Sequence, residues 1–150
     1  MKKNILVLAL LLTLGMSSTF ANNAEGVSDQ IINSFKKDFT NAQDVQWERS
    51  KEYAKVTFKL NDQIMFAFYG DDGHLIAVTR NLLSSQLPIN LLSDIKRNYS
   101  SYWISDLFEI ALQDESSYYI TLESGNQTLI LKSTGANGWQ VFKKEKKEVI

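Results

Sequence analysis

Apolar residues recur at three- and four-residue spacing at Ile31, Ile32, Phe35 and Phe39, and again sixty positions later at Leu91, Leu92, Ile95 and Tyr99. Such spacing lays one apolar stripe along a helix. It predicts a helix over Ser28–Thr40 and a second opening at Leu87-Pro88. Lys36-Lys37-Asp38 and Lys96-Arg97-Asn98 fall off the two stripes in matching places. Ser28 or Asp29 can cap the first helix, because a side-chain oxygen there accepts a free backbone N–H. Pro88 suits a first turn, where its missing N–H costs nothing.

After each stripe the period changes to two. Val45-Gln46-Trp47 alternates, and Ala54, Val56, Phe58 and Leu60 alternate with Lys55, Thr57 and Lys59, as in a half-buried strand. Asn61-Asp62 reads as a turn, and Ile64–Tyr69, apolar on both phases, as a central strand. Gly70-Asp71-Asp72-Gly73 is a tight turn and Leu75–Thr79 a further strand. The second half repeats the sequence of elements. Asn81–Gln86 is a linker, and Trp103–Leu112 is a strand with Phe108, Ile110 and Leu112 on one face. Gln113–Ser116 is a turn. Tyr118, Ile120 and Leu122 then alternate with Tyr119, Thr121 and Glu123. Thr128–Lys132 and Trp139–Lys143 are strands separated by turns at Ser124–Asn126 and Gly135–Gly138.

The order is helix, three or four strands, helix, three or four strands. Strands joined by short turns favour antiparallel pairing, with the helices on one face. The expected fold is therefore α+β, a tandem duplication of a helix plus antiparallel meander, with one repeat over 28–80 and the other over 81–143. The helices match at an offset of sixty, but Gly73 and Gly138 match at sixty-five, which loop insertions in the second half would explain. Chance periodicity is the alternative reading of the helix match; the repeated order of elements weighs against it.

The start of the chain changes the picture of where it works. Met1-Lys2-Lys3 is basic, Ile5–Leu14 is apolar, and Thr19-Phe20-Ala21 places small residues where a signal peptidase reads. The apolar run is short of the roughly 20 residues that span a bilayer. Residues 1–21 are expected to be a signal peptide cleaved after Ala21, 22–27 a flexible lead-in and 144–150 a charged, fraying tail. The destination is the periplasm or the exterior. The chain has no Cys, which rules out a lipid-modified Cys terminus, disulfides and thiolate chemistry. Removing Lys2 and Lys3 takes the 16 basic residues to 14 against 17 acidic ones, a net charge of −3, which argues against nucleic-acid binding. No later apolar stretch is long enough for stable membrane insertion.

Val45-Gln46-Trp47, Ala54-Lys55-Val56-Thr57-Phe58, Ala67-Phe68-Tyr69 with Gly73 and Leu75, Thr79-Arg80, and Leu87-Pro88 with Ile95 and Tyr99 together resemble the PepSY-like family, β-lactamase-inhibitor-like exported proteins of Bacteroidetes-type bacteria. The resemblance covers most of the chain after the leader and rests on core and turn positions. It implies a tandem helix-and-sheet fold similar to β-lactamase inhibitory protein, with no catalytic residues to carry over. The inhibitor has disulfides and this chain has no Cys, a departure that argues against β-lactamase inhibition.

Candidate chemistry is sparse. His74 is the single histidine. It follows a turn and has no partner at ligand spacing, whereas a metal site needs three or four convergent donors. Asp62, Asp71 and Asp72 lack the alternating EF-hand pattern and read as turn formers. Asp114-Glu115 are adjacent on an extended chain and point apart. No nucleophile elbow or phosphate-binding Gly loop is present. The expectation is no catalytic residue, no metal and no cofactor. Asn98-Tyr99-Ser100 and Asn126-Gln127-Thr128 match a glycosylation pattern incidentally. Lys143-Lys144-Glu145-Lys146-Lys147 reads as a solvated end.

The remaining signal is aromatic, 11% of the chain. Phe35, Phe39, Phe58, Phe66 and Trp47 are expected in the core. If Val56 and Ile120 face the helices, Tyr119, Met65 and Tyr69 are expected to face away, with Tyr102 and Trp103 at a hinge between helix and strand. Tyrosines on a helix-free sheet face suit protein or peptide recognition. The leading expectation is thus a non-enzymatic binding domain for an envelope protein or peptide, using Met65, Tyr69, Tyr119, Tyr102 and Trp103. The alternative is a small-molecule or ion-responsive protein with a pocket between the repeats lined by Trp103, Tyr102 and Trp139.

Overall fold

A computed structural model describes residues 24–113 and 115–147. The proposed signal peptide, Asp114 and the last three residues of the tail lie outside them. Helix α1 spans Asp29–Asp38, and β1 Gln43–Arg49, β2 Ala54–Leu60, β3 Gln63–Tyr69 and β4 Leu75–Asn81 follow. A short 3-10 turn at Ser84–Gln86 leads into α2, Ile89–Asn98. Strands β5 Trp103–Leu112, β6 Glu115–Glu123, β7 Gln127–Ser133 and β8 Gln140–Lys146 complete the chain. All eight strands form one sheet in sequence order, every neighbour antiparallel. Every one of these helices and strands lies between Asp29 and Lys146, so a chain beginning at Asn22 retains all of these elements.

Local chemistry sets the boundaries. The Ser28 hydroxyl accepts from the Ile31 N–H at 3.4 Å and caps α1. Pro88 occupies the corresponding cap of α2 and offers no side-chain bond. Asn61 and Asp62 both take positive φ, 50° and 63°, giving the two-residue loop that suits the twist of the β2–β3 hairpin. The last strand is longer than its pattern predicted. Lys144–Lys146 are strand residues paired with Leu129–Gln127, because backbone hydrogen bonds to β7 hold a segment whose charges point to water. Glu115 likewise begins β6 rather than belonging to a turn.

Strand parity puts both helices on the same face. Ile31 and Phe35 of α1 pack on Ala54, Val56, Phe58, Ala67 and Tyr69, with Val78 at the margin. Val78 pairs with Ala111, so Ala111, Glu109 and Leu107 share its face by alternation. Leu107 belongs to the cluster beneath α2, with Leu91, Ile95, Ile120, Leu122, Leu129 and Leu131. Burying each such side chain contributes about 1.5–3 kcal/mol. Between the two helix-covered cores runs a polar seam, where Arg80 donates to Glu109 at 2.7 Å and to Gln63 at 3.1 Å.

Candidate functional site: the helix-free face of the sheet

The opposite face carries a third apolar cluster. Phe68, Ala77, Phe108, Ile110 and Tyr119 form its floor, and Tyr53, Phe66, Ile76, Leu112, Ile130 and Phe142 pack against them half-buried. All come from strands, apart from Tyr53 just before β2, and neither α1 nor α2 contributes a residue. Phe108 and Tyr119 are cross-strand partners with rings stacked at 5.3 Å. Phe142 meets Tyr119 edge-on at 5.4 Å, and Tyr53 meets Phe68 at 5.5 Å. Lysines flank the cluster on both sides. Lys55 lies over Phe66 and bonds Glu48 at 3.3 Å, while Lys132 lies over Tyr119. Burial, with the charge of Glu115 adding to it, pushes the Tyr119 phenol up to about 12. Thr57 and Thr79 sit on either side of Phe66 in one cross-strand row. Their buried hydroxyls have no hydrogen-bond partner among the described residues.

Sequence reasoning placed two of its candidates on the wrong face. Val56 pairs with Ala67, so Ala67 shares the helix side with Val56, and Met65 and Tyr69 follow it by alternation. Tyr69 is fully buried under α1, where its hydroxyl donates to Asp38 at 2.9 Å. Burial, helped by that carboxylate, raises its pKa far above the ordinary phenol range. Tyr119 does lie on the helix-free face, but as buried floor rather than exposed contact. Tyr102 packs half-buried against the core beneath α2 and bonds Gln127 through its hydroxyl. Trp103 pairs with Glu123 at the rim, 56% exposed, with Lys147 5.2 Å from its ring. Lys147 also bonds Glu123 at 2.7 Å and, with Thr128, holds that carboxyl below its ordinary range.

Of the three residues expected to line a pocket between the repeats, Tyr102 and Trp139 pack against the core beneath α2 and Trp103 stands exposed. Trp139 donates its indole N–H to the Leu91 carbonyl at 3.1 Å, while Trp103 is on the rim described above. A different recess, of about 320 Å³, opens where the halves join, lined by Asn81–Ser84 and Ile104–Leu107. The sequence offered a signal for the apolar face that pattern alone could not orient. Ile64–Tyr69 is apolar on both phases, and Phe108, Ile110 and Leu112 share one phase, but only the register shows which phase the helices cover. Asp106 carried no signal, being one of two acidic residues, with Glu109, in a mostly apolar strand.

The turn that holds His74 forms a small polar network. Asp71 bonds Arg49 at 2.5 Å. The His74 ring and backbone N–H both meet Asp72, and these bonds lower the Asp72 pKa. Asp62 pairs with Lys59 at 3.0 Å. Among the described residues no three His, Asp or Glu side chains converge as a metal site, and no helix is long and apolar enough to cross a membrane.

No protein-family model matches the chain, and no curated protein matches it by sequence. Solved structures do match. A BLIP-like protein from Bacteroides fragilis NCTC 9343 aligns with TM-score 0.69 at 16% identity, over 79% of this chain and 85% of that one. A DUF2874 family protein from Bacteroides uniformis ATCC 8492 aligns with TM-score 0.70 at 10% identity, over 80% and 89%. Another from Bacteroides ovatus ATCC 8483 aligns with TM-score 0.65 at 14% identity, over 79% and 86%. The fold is therefore similar to that of BLIP-like and DUF2874 proteins; among the described residues it is an eight-stranded antiparallel sheet with two helices on one side.

Proposed function

We propose that this chain is a non-enzymatic exported binding domain that recognises a protein or peptide on the helix-free face of its sheet. The observation that carries this reading is the apolar cluster on that face, built of strand side chains and Tyr53 with no contribution from α1 or α2. A sheet needs one apolar face to bury against its helices. A second contiguous one marks an interaction surface. Tyr53, Phe66, Leu112, Ile130 and Phe142, half-buried, would make the contacts over a floor of Phe68, Phe108 and Tyr119. The solved neighbour named BLIP-like supports inhibitor-like binding as the class of activity. In this reading the chain is a PepSY-like protein released after Ala21 into the periplasm or beyond, its halves are copies of one ancestral unit, and it needs no cofactor.

The test is affinity capture from an envelope extract of the source bacterium with residues 22–150 as bait, beside a Phe66→Ala/Phe142→Ala double variant. The expected result is one protein held by the native bait and at least about tenfold less by the variant, since a truncated interface anchor costs roughly 1–3 kcal/mol. Circular dichroism must show the variant folded. Equal capture by native bait and folded variant would remove the face from consideration.

A further inference from the structure

The recess at the junction of the halves is a consequence of topology. The Leu82 N–H donates to the Leu107 carbonyl at 2.9 Å, the last bond between β4 and β5. Beyond it the two segments part. Leu83 turns into the 3-10 turn at Ser84–Gln86, its N–H taken by the Gln86 side chain at 2.7 Å, while β5 shifts register between Ile104 and Asp106. The gap between them is the recess of about 320 Å³, at the small end of ligand pockets. Leu83, 71% exposed, and Ile104, 39% exposed, are lining residues from opposite sides.

Asp106 also lines the recess, and Phe108, two residues along β5, belongs to the floor of the apolar face. The Asp106 carboxylate is half-buried and makes no salt bridge among the described residues. Thr121 faces it from β6, and the next members of that cross-strand row are Ile130 and Lys143. Lys143 is three strands away, about 14 Å at the usual strand spacing, and pairs with Glu145 at 2.6 Å. Burial raises the Asp106 carboxyl above its ordinary value, opposed only by the Leu107 backbone N–H. A desolvated carboxylate without a cation is unfavourable, and supplying one relieves it.

We propose that this recess receives a lysine or arginine side chain from a loop of the protein partner, with apolar residues on either side of that cation resting on Leu83 and Ile104. The proposal rests on the helix-free face being the partner-binding face, and it adds the chemistry that the partner must present there. A flanked basic side chain fits better than a free cation, because the recess is open and exposed Leu83 and Ile104 stand on opposite sides of it among polar Asn81, Ser84 and Ser105.

The experiment is a titration of ¹⁵N-labelled residues 22–150, followed by amide chemical shifts, with three probes: acetyl-Leu-Arg-Leu-amide, acetyl-Leu-Glu-Leu-amide and arginine amide. The Leu-Arg-Leu peptide should move the amides of Leu83, Ser84, Ser105, Asp106 and Leu107 saturably. The Leu-Glu-Leu peptide and the Asp106→Asn protein should each reduce that affinity at least about tenfold, one charge-assisted contact being worth 1.4 kcal/mol or more. Arginine amide and Leu83→Ser should each weaken it by a smaller factor. Leu83 is exposed enough that its substitution leaves the fold intact. The proposal is overturned by no saturable shift at those five amides, by equal response to the Arg and Glu peptides, or by unchanged binding to Asp106→Asn. Shifts confined to Phe66, Ile130 and Phe142 would overturn the recess while leaving the face reading in place, and the capture experiment tests that reading separately.

Discussion

The two halves of the molecule solve one packing problem with different chemistry. In each, the helix presents residues at the same offset of sixty: Ile31 and Phe35 in one, Leu91 and Ile95 in the other, all buried. In each, an amide side chain from the first helical turn clasps the last hairpin loop of its own half. Gln30 donates to the Asp72 carbonyl at 2.6 Å and Asn90 to the Gly135 carbonyl at 2.9 Å. Gly73 and Gly138, with φ of +78° and +70°, face Ser34 and Asp94, which also stand sixty apart. The fillings differ. Beneath α1 the core is aromatic, with Phe35 at ring-centroid distances of 5.1 Å from Phe58, 5.4 Å from Trp47 and 6.4 Å from Tyr69. Beneath α2 it is aliphatic, led by Leu91, Ile120, Leu122 and Leu131. Shape and hinge points recur while side-chain identity does not, because burial rewards apolar area and volume more than any particular residue.

The largest effects should come from the two helix centres. Phe35→Ala is expected to cost about 3–5 kcal/mol and Leu91→Ala about 2–5 kcal/mol, with Phe35 the greater because rigid rings around it collapse poorly into the vacancy. Urea denaturation measures both, and a larger loss at Leu91 would break the comparison. Because β4 and β5 join the halves into one sheet, each variant should still unfold in a single transition, coincident by fluorescence and circular dichroism. Next come the loop glycines. Gly73→Ala should cost about 1–2 kcal/mol for the left-handed backbone and more for a Cβ placed 3.0 Å from Ser34 Oγ and 3.1 Å from Gln30 Cγ. Gly138→Ala carries the backbone penalty with its nearest neighbour at 3.9 Å, so it should be the milder of the two by the same assay.

Smaller effects test the contacts that only one half has. Ser28→Ala should lose about 1 kcal/mol, the usual value of such a cap, whereas the equivalent Pro88 has no side-chain cap to lose. Tyr69→Phe should lose about 0.5–1.5 kcal/mol by removing the bond to Asp38, toward the low end because Asp38 stays hydrated. The smallest effect should be a gain. Asp106 is held above the ordinary carboxylate pKa of about 3.9, so the folded state keeps its proton to higher pH than the unfolded state. Stability from this group is full below the ordinary pKa and is lost as pH rises through the folded value. Asp106→Asn should therefore match the native protein in acid and exceed it in melting temperature near neutral pH. A thermal-melt series across that range measures it, and a loss of stability at neutral pH would show that the carboxylate already has a stabilising partner.

The amino-acid sequence by itself determined what local chemistry can specify. Three-to-four spacing at Ile31 and Phe35 and at Leu91 and Ile95 marked both helices, since the helical period brings those residues to one face whatever lies opposite. Alternation in Ala54–Leu60 and turn residues at Asn61-Asp62 and Gly70–Gly73 marked strands and their reversals for the same reason. The tertiary structure decided the rest. Ile64–Tyr69 is apolar on both phases, so only the pairing of Val56 with Ala67 could send Met65 and Tyr69 beneath α1 and leave Phe66 and Phe68 on the other side; a shift of one residue would have exchanged them. Lys144–Lys146 became strand because β7 supplied hydrogen-bond partners that no composition reveals. Asp106 gained its position from two strands that part after Leu82 and Leu107, residues 25 positions apart. Periodicity is a property of neighbours along the chain, whereas a face, an edge or a recess is a property of segments brought together, and its chemistry exists only once the register is fixed.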